Sequence, residues 1–439
     1  MEQHFAQIDL EDDKSPQTLA EHNGENIVDV SSAKNPRASD VVRPAEFAKN
    51  NKLSSFASFQ VDVLNPTKVG DGMSAYVVYH IKFKGIPPLF EDIESSVTRR
   101  FSDFLGLHAK LTARHLCNGV IIPPPPGKDV LGTTKVKMSK DASVENEFVE
   151  RRRIALERFL TRLLSHPILR QDPDLHDFLV QNSDLPRSTN TQLLSGASAK
   201  KIFRNFGDAL GKITYKMDDP DEYFDLKAEE LDSWEKQLRR LDGALSSLVT
   251  SDQDLAASKY SVSRSVSQLA NVEEHTGLAQ ALSRLADAEE QVSHWHAVQA
   301  EAELIHLVEC ARDTLGMIQA CKDVLAERVR AFRNWKGAEA ALRAKREQKV
   351  RLELAGKGDQ RKMLSLETEL EELSSRVEQE HENFESISKA IKKEFELFDT
   401  TRFVDFKRAA IEFLQIMLQT QSKLLETWES YMIQAKSIN

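Results

Sequence analysis

No proline occurs between Asp221 and Asn439, a stretch that makes up about half of the 439-residue chain. A proline inside a helix removes a hydrogen bond and clashes with the preceding turn, so its absence permits very long helices there and argues against a turn-rich β architecture. Long apolar runs are missing as well: nothing approaches the roughly 20 consecutive apolar residues of a membrane span. Met1-Glu2-Gln3-His4 opens without a basic region leading into an apolar core, so no secretory signal is expected. Cysteine is scarce, with only Cys117, Cys310 and Cys321, and none has metal-pair spacing. That excludes a disulfide scaffold and predicts buried small residues in a reduced cytoplasm. Cations are not in excess either: 59 Lys and Arg against 69 Asp and Glu give a net charge of −10, which excludes general nucleic-acid binding. No nucleophile motif, Walker loop or carboxylate pair in a pocket-like context is present. His294 and His296 stand two apart, pointing away from each other on a helix, so no shared metal is expected. The chain reads as a non-enzyme needing no cofactor.

A negative chain that nevertheless clusters cations is placing them, and anionic lipid heads are their natural targets. The sharpest cluster is Arg99-Arg100-Phe101-Ser102-Asp103-Phe104, at the end of the β-branched run Ser96-Val97-Thr98 and before a helix N-cap at Ser102 or Asp103. A guanidinium binds phosphate through two parallel hydrogen bonds, and the N–H groups of a helix start add positive potential. Phe101 supplies an apolar plate beside them. Pro123-Pro124-Pro125-Pro126-Gly127-Lys128 cannot continue a helix and should form a stiff extended loop presenting Lys128. Arg151-Arg152-Arg153 open an apolar-periodic helix carrying Ile154, Leu156, Phe159, Leu160 and Leu163, and an arginine there could close the pocket from a third side.

In chain order, residues 1–52 lack periodicity and are acidic, which predicts a disordered tail; Phe5, Ile8 and Leu10 could form a short docking motif in it. Residues 53–186 begin with a half-buried strand bearing Phe59, Val61 and Val63 on one face. Turn residues follow at Asn65-Pro66 and Gly70-Asp71-Gly72, then a second strand from Tyr76 to Phe83. Helices are expected from Ser102 to Leu116, through Leu163, and from Asp172-Pro173. Residues 187–199 are linker by composition. Residues 200–217 set Ile202, Phe203, Phe206, Leu210, Ile213 and Met217 at helical spacing among five cations and one acid, Asp208. This predicts an amphipathic helix lying at headgroup level, with a core-packed helix as the alternative.

Residues 218–439 begin with a capping box at Asp219-Pro220-Asp221-Glu222, with Pro220 at the first helical position. Leu231, Trp234, Leu238, Leu241, Leu245 and Leu248 then follow the 3,4 spacing of a coiled-coil seam. Breaks at His275-Thr276-Gly277 and Gly356-Lys357-Gly358 divide the half into three long helices, the second on the order of 100 Å long. They should fold back antiparallel and pair with another copy. Around the second break, Arg343, Lys345, Arg346, Lys349, Arg351, Lys357, Arg361 and Lys362 face only Glu347, Glu353 and Asp359, a basic tip on an acidic molecule.

The Arg-Arg-Phe signature, the proline loop and the basic helix resemble the phox-homology (PX) domain. The three long helices resemble the BAR domain, a curved dimerisation module of bent membranes. Their order, with an amphipathic helix between, is similar to the PX-BAR sorting nexins. The resemblance implies an α+β PX domain, a three-stranded antiparallel sheet plus helices, followed by an all-α elongated three-helix BAR domain. It places the 3-phosphate of phosphatidylinositol 3-phosphate on Arg100 and the inositol ring on Phe101. Ser102 matches a phosphate contact, Lys128 the loop cation on the 1-phosphate side, and Arg152 the ligand of the inositol hydroxyls. Phosphatidylinositol 3,5-bisphosphate is the second candidate lipid. Implied partners are a second copy or another PX-BAR sorting nexin, together with the retromer cargo-recognition subunits. The implied location is the cytoplasmic face of early endosomes and their tubules, in retromer-linked return of cargo to the Golgi. The competing reading is a cytosolic coiled-coil scaffold whose PX-like domain binds protein.

Overall fold

The computed structural model describes residues 59–70, 76–85, 93–127, 142–182, 221–354 and 360–436. The expected acidic tail, linker and amphipathic helix, and Lys128, lie outside them. Everything described belongs to one compact unit, Ala57–Asn439.

Three strands open the unit: β1 (Phe59–Val69), β2 (Tyr76–Gly85) and β3 (Glu94–Arg100), antiparallel in the order β1-β2-β3. Alternation puts Val61, Val63, Ile81, Phe83 and Val97 on one buried face, with Val63 and Val97 both paired to Ile81. Asn65-Pro66 does not end the first strand. The register slips between Leu64 and Thr67 and pairing resumes to Val69. A proline, lacking a donor, is tolerated there because β1 is an edge strand and the residue sits in a bulge.

Helix α1 (Phe101–His115) follows β3 without a linker. The expected cap is displaced: the helix starts before Ser102, and Asp103, at its third position, accepts from the Arg100 backbone N–H at 2.8 Å. Phe104 stands at the centre of the small core, with ring centroids 4.9 Å from Phe178 and 6.4 Å from Tyr79. Helix α2 (Ala142–Ser165) buries Leu156, Phe159, Leu160 and Leu163 against the sheet. Helix α3 (Pro173–Val180) starts as its sequence predicts, with Asp172 accepting from Asp174 N at 2.8 Å and Pro173 in the first turn.

The remainder is three long helices. Helix α4 (Tyr223–Val272) begins beyond Pro220, so that proline does not take the first helical position. Helix α5 runs Thr276–Ala302, passes through a π-helical segment Glu303–Val308, and continues Glu309–Leu354. Helix α6 spans Gln360–Lys436. At 1.5 Å per residue α5 and α6 each reach about 115 Å. Pairings fix their directions: Ser293 Oγ donates to Ala256 O, Lys259 pairs with Glu289, and Lys345 with Glu369, so α5 is antiparallel to both neighbours. Asp221, just before α4, pairs with Lys392 and Lys227 with Asp399, so α4 and α6 are parallel. Their common core gathers Ile318, Cys321, Val324, Phe384, Ile387, Ile391 and Phe395. Of the cysteines only Cys321 is buried; Cys117 is exposed and Cys310 half-buried. No helix among the described residues is long and apolar enough to cross a membrane.

Candidate anionic headgroup site and its platform

Successive residues of a strand point to opposite faces, and this separates the two arginines that end β3. Arg99 is 3% exposed and turns inward. Its guanidinium donates to Phe178 O at 2.9 Å, to Asp177 O at 3.4 Å and to Gln181 O, carbonyls in and just after the last turn of α3. Arg99 is a structural cap. Arg100 emerges on the other side, half-buried, its Cζ 3.9 Å from the Tyr76 ring centroid and its guanidinium donating to Tyr76 Oη at 3.0 Å. No carboxylate pairs with that guanidinium among the described residues.

Phe101 packs its inner edge on the domain core, and Arg152 from α2 lies over its ring at 4.4 Å. Arg100 at the end of β3, Phe101 at the start of α1 and Arg152 on α2 thus share one edge of the domain. Behind them Tyr79 is fully buried; burial pushes its phenol pKa up, and the adjacent Arg152 charge opposes that shift. Ser102 sits exposed at the same edge, its hydroxyl donating to Asp103 Oδ1 at 3.4 Å. The helix start is less open to an anion than the sequence suggests, because the Asp103 carboxylate already holds the Arg100 N–H. The neighbours of Arg152 do other things. Arg153 donates to Val63 O at 2.7 Å and pairs with Glu157, tying α2 to β1. Arg151 faces the long helices, near enough to Glu309 to lower a carboxyl pKa that burial raises.

A platform beneath the site went unseen in the sequence. After a 3-10 turn at Leu116–Asn118, Gly119 takes φ 81°, and a Cβ there would come within 2.9 Å of Ile391 on α6. Val120 and Ile122 point into the small core, while Ile121 between them points into the core of the long helices. The Ile121 N–H donates to Glu394 Oε2 at 2.9 Å, and His166 Nε2 lies 3.0 Å from the same oxygen. Because His166 Nδ1 accepts from the N–H groups of Ile168 and Leu169, Nε2 carries the proton and donates. Arg162 reaches Asp405 at 2.9 Å and Arg158 pairs with Asp313. Pro124 packs so closely on α5 that a Cβ on Gly316 would meet its Cγ at 2.9 Å. The proline run therefore begins as an interface segment before it reaches Lys128.

The basic tip also differs from expectation. Lys345 pairs with Glu369 at 2.6 Å and Lys349 with Glu367 at 2.9 Å, both across the α5–α6 hairpin, while Arg351 has Glu347 at 3.6 Å. Two of the five cations on α5 are thus neutralised by α6, and on α5 Arg343 and Arg346 stand without an acidic partner among the described residues. No group of three or more potential metal ligands occurs among those residues.

Sheet domain, arginine–aromatic edge and long three-helix platform together define a membrane-associated protein of the PX-BAR class. A PX domain model matches residues 87–182, and a model described as Vps5 C terminal like matches residues 199–434. The chain belongs to the sorting nexin family. It is 41% identical over 379 residues to sorting nexin-2 of Bos taurus and 39% identical to sorting nexin-1 of Homo sapiens. Each match covers 86% of this chain and 72% of the relative. The fold is also that of the SNX-BAR Mvp1 tetramer, solved by cryo-electron microscopy, with TM-score 0.61 at 18% identity over 85% of this chain and 99% of that one. The PX-BAR sorting nexins are non-enzymatic scaffolds of membranes.

Proposed function

We propose that the chain is a peripheral endosomal membrane protein that binds phosphatidylinositol 3-phosphate and senses or drives tubulation in retromer-linked return of cargo to the Golgi. The observation that carries the lipid assignment is one edge on which Arg100 lies on the Tyr76 ring and, next to it in the chain, Phe101 carries Arg152, with no carboxylate on Arg100 among the described residues. Arg100 takes the 3-phosphate, Phe101 the ring face, Ser102 a phosphate oxygen and Arg152 the inositol hydroxyls; Lys128 closes the site from the proline loop. Residues 53–186 form the lipid-reading domain and 218–439 the curvature module, joined by the linker 187–199 and the inserting helix at 200–217. Phosphatidylinositol 3,5-bisphosphate is the second ligand this charge arrangement suits.

Curvature requires a dimer, and two exposed stripes support one. Leu241, Leu248, Leu255, Val262 and Leu269 recur every seven residues on α4, each between 39% and 52% exposed. Val404, Ile411, Leu418, Leu425 and Met432 do the same on α6, between 39% and 65% exposed. Apolar heptads open to water over about 40 Å are the seam of a missing helix pair. A second copy or another PX-BAR sorting nexin fills it, and the dimer engages the retromer cargo-recognition subunits.

Flotation of the full chain with small liposomes, with and without phosphatidylinositol 3-phosphate, tests this reading. Wild-type protein is expected to float only with the lipid and to yield narrow tubules by electron microscopy, while Arg100→Ala stays behind. Equal flotation of that variant removes the headgroup assignment, and no flotation at all leaves the cytosolic scaffold in its place.

A further inference from the structure

The α5–α6 hairpin end carries more than charge. On α5, Arg343, Arg346, Val350 and Leu354 are spaced 3, 4 and 4 residues apart and form one stripe along the helix. Val350 is 53% and Leu354 83% exposed. Lys345 and Lys349 occupy the other side, where they pair with Glu369 and Glu367 of α6, and Glu353 lies on that side too, close enough to raise the Lys349 pKa. The pairing of Lys349 with Glu367 brings Leu364, 67% exposed, level with the last turn of α5. Among the described residues, this end of the hairpin thus carries three exposed aliphatic side chains, with two guanidinium groups behind Val350 and Leu354 on the same stripe.

We propose that this end is a wedge: Val350, Leu354 and Leu364 enter the headgroup region of an anionic bilayer, while Arg343 and Arg346 remain at phosphate level. This rests on the membrane reading above and deepens it, since electrostatic contact alone needs no aliphatic side chains at the point of approach. The arrangement is that of interfacial segments, apolar groups at the leading edge and cations that reach back along the surface. A second tip is a poorer occupant, because it would bring the arginine pairs of both copies together. An anionic surface matches the sign of every cation in the stripe that lacks an acid.

The test uses the full chain with Cys117→Ser and Cys310→Ala, and an environment-sensitive fluorophore on Leu354→Cys. It is mixed with vesicles of phosphatidylcholine, phosphatidylserine and phosphatidylinositol 3-phosphate. Insertion is expected to shift emission to the blue and to expose the dye to quenchers attached at shallow depth. In the unlabelled chain, Val350→Ser with Leu354→Ser and Leu364→Ser should weaken vesicle binding by about tenfold or more while leaving helicity and soluble-headgroup binding unchanged. Vesicle binding with neither blue shift nor loss in the serine variant overturns the wedge and leaves the membrane reading standing. A blue shift without vesicles that grows with protein concentration overturns it in favour of contact between copies. Failure of the unlabelled wild type to float overturns the membrane reading and the wedge together.

Discussion

Arg99 and Arg100 are chemically identical neighbours with opposite tasks, and the division is made by strand alternation rather than by anything local to either residue. Pairwise charge in the sequence cannot say which of the two faces outward. The answer comes from α3, whose Phe178 carbonyl in the last turn accepts from Arg99. Residue-scale reading is stronger where one side chain answers to its own backbone, as Asp172 does at the start of α3. His108 on α1 makes a prediction of the same scale. It keeps part of its surface open, yet burial lowers its pKa to about 4 from the ordinary 6.5. The folded state therefore holds it neutral. Above pH 6.5 neither state binds the proton and His108 contributes no pH dependence; as pH falls from 6.5 towards 4, the unfolded chain protonates while the folded chain does not, and stability declines. The loss attributable to His108 should be on the order of 2 kcal/mol between pH 7 and pH 5. Thermal melts of wild type and His108→Gln across that range check this: the wild-type melting temperature should drop more steeply, and parallel curves would contradict it.

At the scale of elements, the strands, α1 and α3 were legible because each has its own periodicity or cap. The docking of the sheet domain on the long helices was not. Ile121 and Glu394 are 273 positions apart, and Ile121 interrupts the alternation of Val120 and Ile122 by one residue, which no helical or strand template registers. The proline run predicts a loop presenting Lys128, and nothing in its composition announces that Pro124 packs on Gly316 of α5. Glu394, 6% exposed, is the acceptor for both Ile121 N–H and His166 Nε2–H. Removing it leaves two donors unmatched at the interface, a cost of about 2–4 kcal/mol. Glu394→Ala should therefore lower the melting temperature and speed amide exchange at Ile121, with soluble-headgroup binding intact because Arg100 and Arg152 lie elsewhere. Unchanged exchange at Ile121 would mean that this docking does not depend on the glutamate.

At the scale of the whole molecule, the three long helices follow from heptad spacing and the two glycine-containing breaks, and their existence was plain from the sequence. What the spacing could not divide was which part of the seam serves the protomer. Leu231 is 1% exposed and Trp234 and Leu238 pack on the same core, yet Leu241 and Leu248 of the same run are each 44% exposed. A straight α-helix drifts about 20° per heptad against a 3.5-residue repeat, so one stripe cannot stay against the same neighbours for the length of α4. The inward role passes to Val249, Ala256 and Ser263, all buried, and the leucines turn outward. If those leucines meet their counterparts on another copy, a carboxylate among them is costly only in the dimer. Leu248→Glu combined with Leu418→Glu should leave helicity and the sheet domain intact while sedimentation moves to the single-chain mass. Vesicle binding should fall with it, since one headgroup pocket and one tip replace two held on a common frame, and the gain in effective concentration is lost. A double variant that still sediments as a dimer would place the partner on another face and leave both heptad stripes unexplained.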